Sequence, residues 1–164
     1  MSTRTEALAA RIEQGAQELA AYVDRLSETE WQTVCPDDDR TVGVLVHHVA
    51  SAYPAEIGIL RQLASGQAIT GITWAMVSQL NAEHAQAHAG SVKEATLDLL
   101  ARNSAQAVAA IRELSDEELD NAAPISLNWD APLTTQYFIE EHPISHPFRH
   151  LASIRAALEV AIEG

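Results

Sequence analysis

Apolar residues recur at helical spacing along nearly the whole chain. Leu8, Ile12, Gly15, Leu19, Tyr22 and Leu26 alternate spacings of four and three, so residues 4–27 are expected to form an amphipathic helix. A second stripe, Val42, Leu45, Val46, Val49, Tyr53, Ile57, Leu60 and Leu63, predicts a helix over 41–65 with Thr41 as its N-cap and Ser65-Gly66 as its stop. Pro54 lies inside that pattern and predicts a kink. Trp74, Val77, Leu80, His84 and Ala87 suggest a third helix from about Thr73 to His88. Ser91 and Glu94 then form a candidate capping box for a fourth, over 92–114, whose inward positions are Leu97, Leu100, Ser104, Val108, Ile111 and Leu114.

Leu114–Leu119 reads as a short turn or single helical turn, and 121–132 carries no helical period. The last helix is expected from about Leu133 to Ile162, with Phe148, Leu151, Ile154, Leu158 and Ile162 facing inward. The expected class is therefore all-α, a single domain over 1–164 built as a bundle of four long helices plus a shorter one.

Composition narrows the function. Twenty-three acidic residues against 10 basic ones give a net charge of −13. Nucleic-acid affinity draws on Lys and Arg at phosphates, and anionic membrane surfaces attract the same residues, so neither is an expected partner. No stretch approaches the length of apolar residues that spans a bilayer, and Met1–Glu6 lacks a signal-peptide core, which makes a cytoplasmic protein the expectation. Cys35 is the only cysteine, so no disulfide forms within the chain, and its acidic loop disfavours a reactive thiolate.

The candidate chemistry lies in the histidines. His142, His146 and His150 follow one another at four-residue steps near the C-terminus, with Pro143 and Pro147 between them. Residues four apart lie one above the other on a helix, and two imidazoles so placed can share a metal ion. At about 100° per residue, His146 and His150 share one flank of the last helix, whereas His142 lies nearly opposite the apolar stripe. The same arithmetic puts His48 at the margin of the second helix's stripe and His47 toward solvent. Two ligands from one helix and one from another leave a coordination position open, the catalytic rather than structural arrangement. Pro147 leaves the Pro143 carbonyl without its helical donor and can re-aim His146 by bending the helix. Asn81, His84 and His88 cluster on one side of the third helix. They are open to three readings: a hydrogen-bonded network, the lining of a pocket, or, for His84, a further ligand. Trp129, in the aperiodic loop, is either a pocket residue or a cover for the bundle end.

Thr41-Val42-Gly43-Val44-Leu45-Val46-His47-His48-Val49-Ala50 resembles the S-V-x-x-x-L-x-H-L-A second helix of the DinB-like superfamily of metal-dependent enzymes, and His146-Pro147-Phe148-Arg149-His150-Leu151 resembles its late H-x-x-x-H helix. Asn81-Ala82-Glu83-His84-Ala85 is similar to a stretch of one branch of that superfamily. The chain departs from the late form H-x-x-H-H-R-G-Q in carrying Pro147 and in following His150 with Leu151-Ala152-Ser153.

The resemblance implies a four-helix bundle with one crossover connection and a divalent metal, Zn or Ni, on His48, His146 and His150. It also implies a homodimer and a metal-dependent thiol S-transferase or hydrolase acting on a small molecule with a low-molecular-weight thiol. On that reading Asn81 and Trp129 line the substrate pocket and His84 is the catalytic proton-transfer candidate. The alternative is a non-catalytic stress-response or small-molecule-binding bundle.

Overall fold

The computed structural model describes residues 2–163, with side chains described through Glu159. Four long helices make the bundle: α1 (Thr3–Asp24), α3 (Val42–Ala64), α5 (Lys93–Arg112) and α8 (Ser145–Glu163). Helix α5 packs against both α1 and α3, and α8 closes the bundle against the same pair. Ile12, Leu19, Leu45, Leu60, Leu100, Ile111 and Ile154 are among the buried side chains between them. Each such aliphatic side chain stabilises the fold by about 1.5–3 kcal/mol. Ile162, placed inward by the periodicity, lies beyond the described side chains.

Short elements fill the connections. Helix α2 (Glu28–Trp31) is a single turn closed by a capping box between Ser27 and Glu30, and α6 (Asp116–Asp120) by one between Ser115 and Glu118. Strands β1 (Val34–Cys35) and β2 (Arg40–Thr41) form a small antiparallel ladder, as do β3 (Ala122–Pro124) and β4 (Pro132–Thr134). Thr41 caps α3 by accepting from the Val44 amide, as expected. Ser91 does not cap α5. Val92 holds that position without a side-chain bond, because the Ser91 hydroxyl donates instead to the His88 carbonyl.

Helix α4 (Trp74–Ala87) departs most from the periodicity. It begins where expected, yet it buries none of its residues, and Trp74 and Leu80 are 58% and 62% exposed. Helices α1, α3, α5 and α8 already fill the core, so α4 lies outside it and touches the bundle along α3.

The prolines that interrupt helical patterns are accommodated. Helix α3 continues through Pro54, and the Ala50 carbonyl that Pro54 deprives of a donor accepts from Asn103 Nδ2 at 2.8 Å. The last helical run begins at α7 (Thr135–Ile139), capped by Thr134, because Leu133 belongs to β4. It then widens into a π-helical turn, Glu140–Ile144, before α8. A π turn inserts a residue into the helical ladder. The Glu141 carbonyl freed there accepts from Arg149 at 2.6 Å and from the Ser145 hydroxyl.

Candidate metal centre

His48, on α3, meets His146 and His150, on α8, across the bundle. One ring nitrogen from each lies within 4.8 Å of the other two. His48 Nε2 and His146 Nε2 are 3.2 Å apart. That is close to the roughly 3.3 Å edge of a tetrahedron whose metal–nitrogen bonds are about 2.0–2.1 Å. His146 Nδ1 lies 3.2 Å from Glu56 Oε1 and donates to it. With Nδ1 held there, Nε2 is the His146 ring nitrogen that faces His48. His150 Nδ1 faces Asp38 Oδ2 at a longer 3.9 Å. Ring nitrogens that converge while a carboxylate holds the far side of one ring are the pattern of a metal-binding imidazole set.

Burial keeps His48 and His150 neutral. It pushes the His48 imidazolium far below its ordinary pKa, with neighbouring His146 adding to the effect. It lowers His150 to about 4, against which Asp38 acts in the opposite direction. Neutral imidazole is the form that ligates. The residues present fit a divalent ion with a taste for nitrogen.

The π turn and the prolines fix the aim of the α8 pair. Pro147 packs on α1 so closely that a Cβ on Gly15 would stand 2.9 Å from Pro147 Cγ and 3.1 Å from Phe148 Cε2. Glycine at that position lets the turn between the two ligands seat against α1.

His142 lies outside the triad. It stacks on Phe138 with ring centroids 4.8 Å apart and borders a cavity of about 290 Å³ beside the triad. Glu56, Ile72, Ile125, Leu127 and Tyr137 also line the cavity. The 66–73 connector and the loop between β3 and β4 make its floor, joined by the Ile69–Ile125 bridge and by Ser126, whose hydroxyl links the backbone of Ile72. Trp74 is the tryptophan that lines the cavity, and its indole donates to the Leu127 carbonyl at 3.2 Å. Trp129 does not line it. Its backbone is left-handed, with φ 52°, and its side chain is 87% exposed. Asn81 lies elsewhere too, in a shallow hollow with Asp38, Asp39 and Arg40.

Two residues escaped the sequence reading. Glu56 is buried, at 7% exposure, and stands between the triad and the cavity. An acidic residue amid Tyr53, Ile57 and Leu60 was the available signal. His47 is the second, and the expectation that it faces solvent is corrected. Helix α4 crosses that flank of α3, so His47 Nδ1 lies 2.9 Å from His84 Nε2 and its ring stacks on His88 at 3.8 Å. A wheel drawn for one helix carries no information about a neighbour packed across it. His84 thus adjoins His48 edge to face at 5.5 Å between centroids, and burial lowers its pKa to about 4.

The model of the DinB superfamily matches residues 11–154. No curated protein matches the chain. Several solved structures share its fold, among them the following three. YfiT of Bacillus subtilis, described as a probable metal-dependent hydrolase with an unusual four-helix bundle topology, superimposes with a TM-score of 0.76 at 15% identity, over 98% of this chain and 90% of its own. An uncharacterised protein of Clostridium difficile 630 gives 0.75 at 16%, covering 98% of both chains. A Streptococcus pneumoniae protein gives 0.74 at 18%, over 97% of this chain and 92% of its own.

Proposed function

This chain belongs to the DinB superfamily, and on that footing we propose that it is a metal-dependent enzyme that holds one divalent ion, Zn or Ni, on His48, His146 and His150. The observation that carries the reading is the 3.2 Å approach of two imidazole nitrogens beside a buried carboxylate. A divalent ion there supplies Lewis acidity, which lowers the pKa of a water or a thiol and makes it a nucleophile at neutral pH. Hydrolysis and thiol S-transfer differ only in which of those two attacks.

The chain's own residues supply the rest. Glu56 Oε1 orients His146 and fixes its tautomer. Glu56 Oε2 is buried and has no partner among the described residues, so it is free to accept a nucleophile's proton. The cavity offers apolar walls of Ile72, Ile125 and Leu127 to the hydrocarbon part of a small substrate, with His142 and Arg149 at its polar border. His84 adjoins both His47 and His48 and is the weaker candidate for proton transfer.

Elemental analysis of the protein as purified, alone and with His48→Ala, tests the metal. Stoichiometric metal that the variant loses supports the site, and full retention overturns it. Thermal-shift titration with low-molecular-weight thiols then separates the two reactions. A shift by a thiol points to S-transfer, and no shift by any thiol points to hydrolysis.

A further inference from the structure

We propose that His47, His84 and His88 form a second site for a divalent transition metal, side by side with the first and sharing no residue with it. One ring nitrogen from each of these histidines lies within 4.8 Å of the other two. The set reproduces the composition of the first triad with the helices exchanged: one imidazole from α3 and an i, i+4 pair from the end of α4. His84 and His88 lie 4.7 Å apart between ring centroids, and His47 sits against both.

A hydrogen-bonded network accounts for this cluster only in part. His84 Nε2 faces both His47 Nδ1, at 2.9 Å, and Ser51 Oγ, at 3.2 Å. His84 Nδ1 is buried and has no partner among the described residues. A buried nitrogen without a partner is destabilising, so hydrogen bonding alone leaves the His84 ring incompletely satisfied. The cluster is also reachable. A hollow of about 280 Å³ opens on His47 and His88 between the end of α4 and the start of α5, and Ser91 and Thr96 line it. The Thr96 hydroxyl is buried there without a partner among the described residues. The hollow leaves room to complete the coordination with water or an oxygen ligand. Three imidazoles and no carboxylate select a borderline cation such as Zn²⁺, Ni²⁺ or Cu²⁺ over Mg²⁺ or Ca²⁺.

The same donors fix the order of filling. Glu56 and Asp38 stand beside the first triad and none of the three donors here is a carboxylate, so the first ion enters at His48, His146 and His150. The second then binds more weakly beside an existing positive charge.

The test is a metal count on the full-length, tag-free chain, stripped with chelator, equilibrated with Zn²⁺ and freed of excess by gel filtration. The wild type is expected to retain two ions per chain. His88→Ala and His48→Ala each retain one, and the double variant none. His88→Asn, with circular dichroism on every variant, separates loss of a ligand from loss of fold. Anomalous scattering at the zinc edge from a soaked crystal adds a peak between α3 and α4. A wild-type count of one that His88→Ala leaves unchanged overturns the second site and leaves the first standing. A single ion lost in both single variants overturns the two-site arrangement, and so does a wild type that retains none.

Discussion

Behind His146 stands a buried carboxylate, whereas the buried Nδ1 of His84 has no partner among the described residues. The two triads lean on adjacent histidines of α3 and copy each other's composition, yet they are supported differently. The first reaches across the bundle, with its ligand turn pressed onto α1 through Gly15 and its ring orientation fixed by Glu56. The second sits at the outer edge, where α4 buries none of its residues. Its support is a backbone relay. Trp31 Nε1 donates to the Ser91 carbonyl at 2.8 Å, and the Ser91 hydroxyl donates to the His88 carbonyl at 2.6 Å. A rigid set suits a resident catalytic ion. A set hung from an exposed helix suits an ion held more weakly than the first.

The relay offers the largest way to break the comparison. Trp31 packs on bare backbone at Gly43, where a Cβ would stand 2.5 Å from Nε1 and 2.6 Å from Cε2. The indole is 1% exposed and has nowhere to retreat. Gly43→Ala is expected to destabilise the fold by about 3 kcal/mol, the upper end for overpacking. Thermal unfolding reads that loss. Where the variant folds, zinc titration should show weaker binding at His47, His84 and His88 with the first triad little changed. Equal weakening of both sites means that Trp31 acts on the bundle and not on the relay.

Glu56 is the converse lever. Glu56→Gln keeps the shape and removes the charge that fixes His146. Loss of such a supporting carboxylate typically weakens metal affinity by about 10–100-fold, or roughly 1.4–2.7 kcal/mol. Competition with a chromophoric chelator measures it. The weakening is expected at the first triad alone, and unchanged affinity there means that Glu56 does not hold the ligand set.

Gly15→Ala has a smaller effect in the same region. The added methyl meets Pro147 Cγ at 2.9 Å, but Phe148 is half-buried and can yield. Alanine also regains about 1 kcal/mol of helix propensity. A net loss of about 1 kcal/mol in stability, with a few-fold weaker first site, is the expected balance. Calorimetry and zinc competition check the two parts, and a stabilised variant with unchanged affinity shows that Pro147 does not need the close seat.

The helices were legible because an amphipathic stripe is a local record of burial. Val42, Leu45, Val49, Tyr53 and Leu60 announced α3 and all are buried. His48, His146 and His150 were legible as a set for the same reason, since each flanks a stripe that packs inward. Helix α4 misled because Trp74, Val77 and Leu80 have the period of a buried face without a vacant place in the bundle. His47 and Glu56 were illegible for a related reason. A histidine opposite a stripe looks solvated until another helix lies across it, and a glutamate inside one looks anomalous until its imidazole partner arrives from a residue ninety positions away. The π turn left a partial trace in Pro143 and Pro147, though nothing local placed it at Glu140–Ile144.

Acidification probes the same contrast through proton uptake. Both triads carry a ring held near pKa 4, His150 in the first and His84 in the second, each because burial disfavours the imidazolium. In the unfolded chain these rings titrate near 6.5. Above about pH 6.5 both states hold them neutral and they contribute nothing to pH dependence. Between about 6.5 and 4 the unfolded chain binds protons that the folded chain refuses, so stability falls as pH falls. Below about 4 the folded rings protonate as well and this loss levels off. His150, the more enclosed, contributes up to about 1.4 kcal/mol per pH unit in that window, and His84, nearer solvent, contributes less. Urea unfolding of chelator-stripped protein from about pH 7 down to about pH 5 isolates the histidines, since most carboxylates titrate lower. The unfolding midpoint is expected to drop over that range, His150→Ala to flatten the drop more than His84→Ala does, and saturating zinc to steepen it, because bound metal also excludes protons from the folded state. A midpoint that is flat or rises on acidification means that the rings are not held neutral. Equal flattening by the two variants means that the outer triad is as enclosed as the inner one, which removes the difference in support between them.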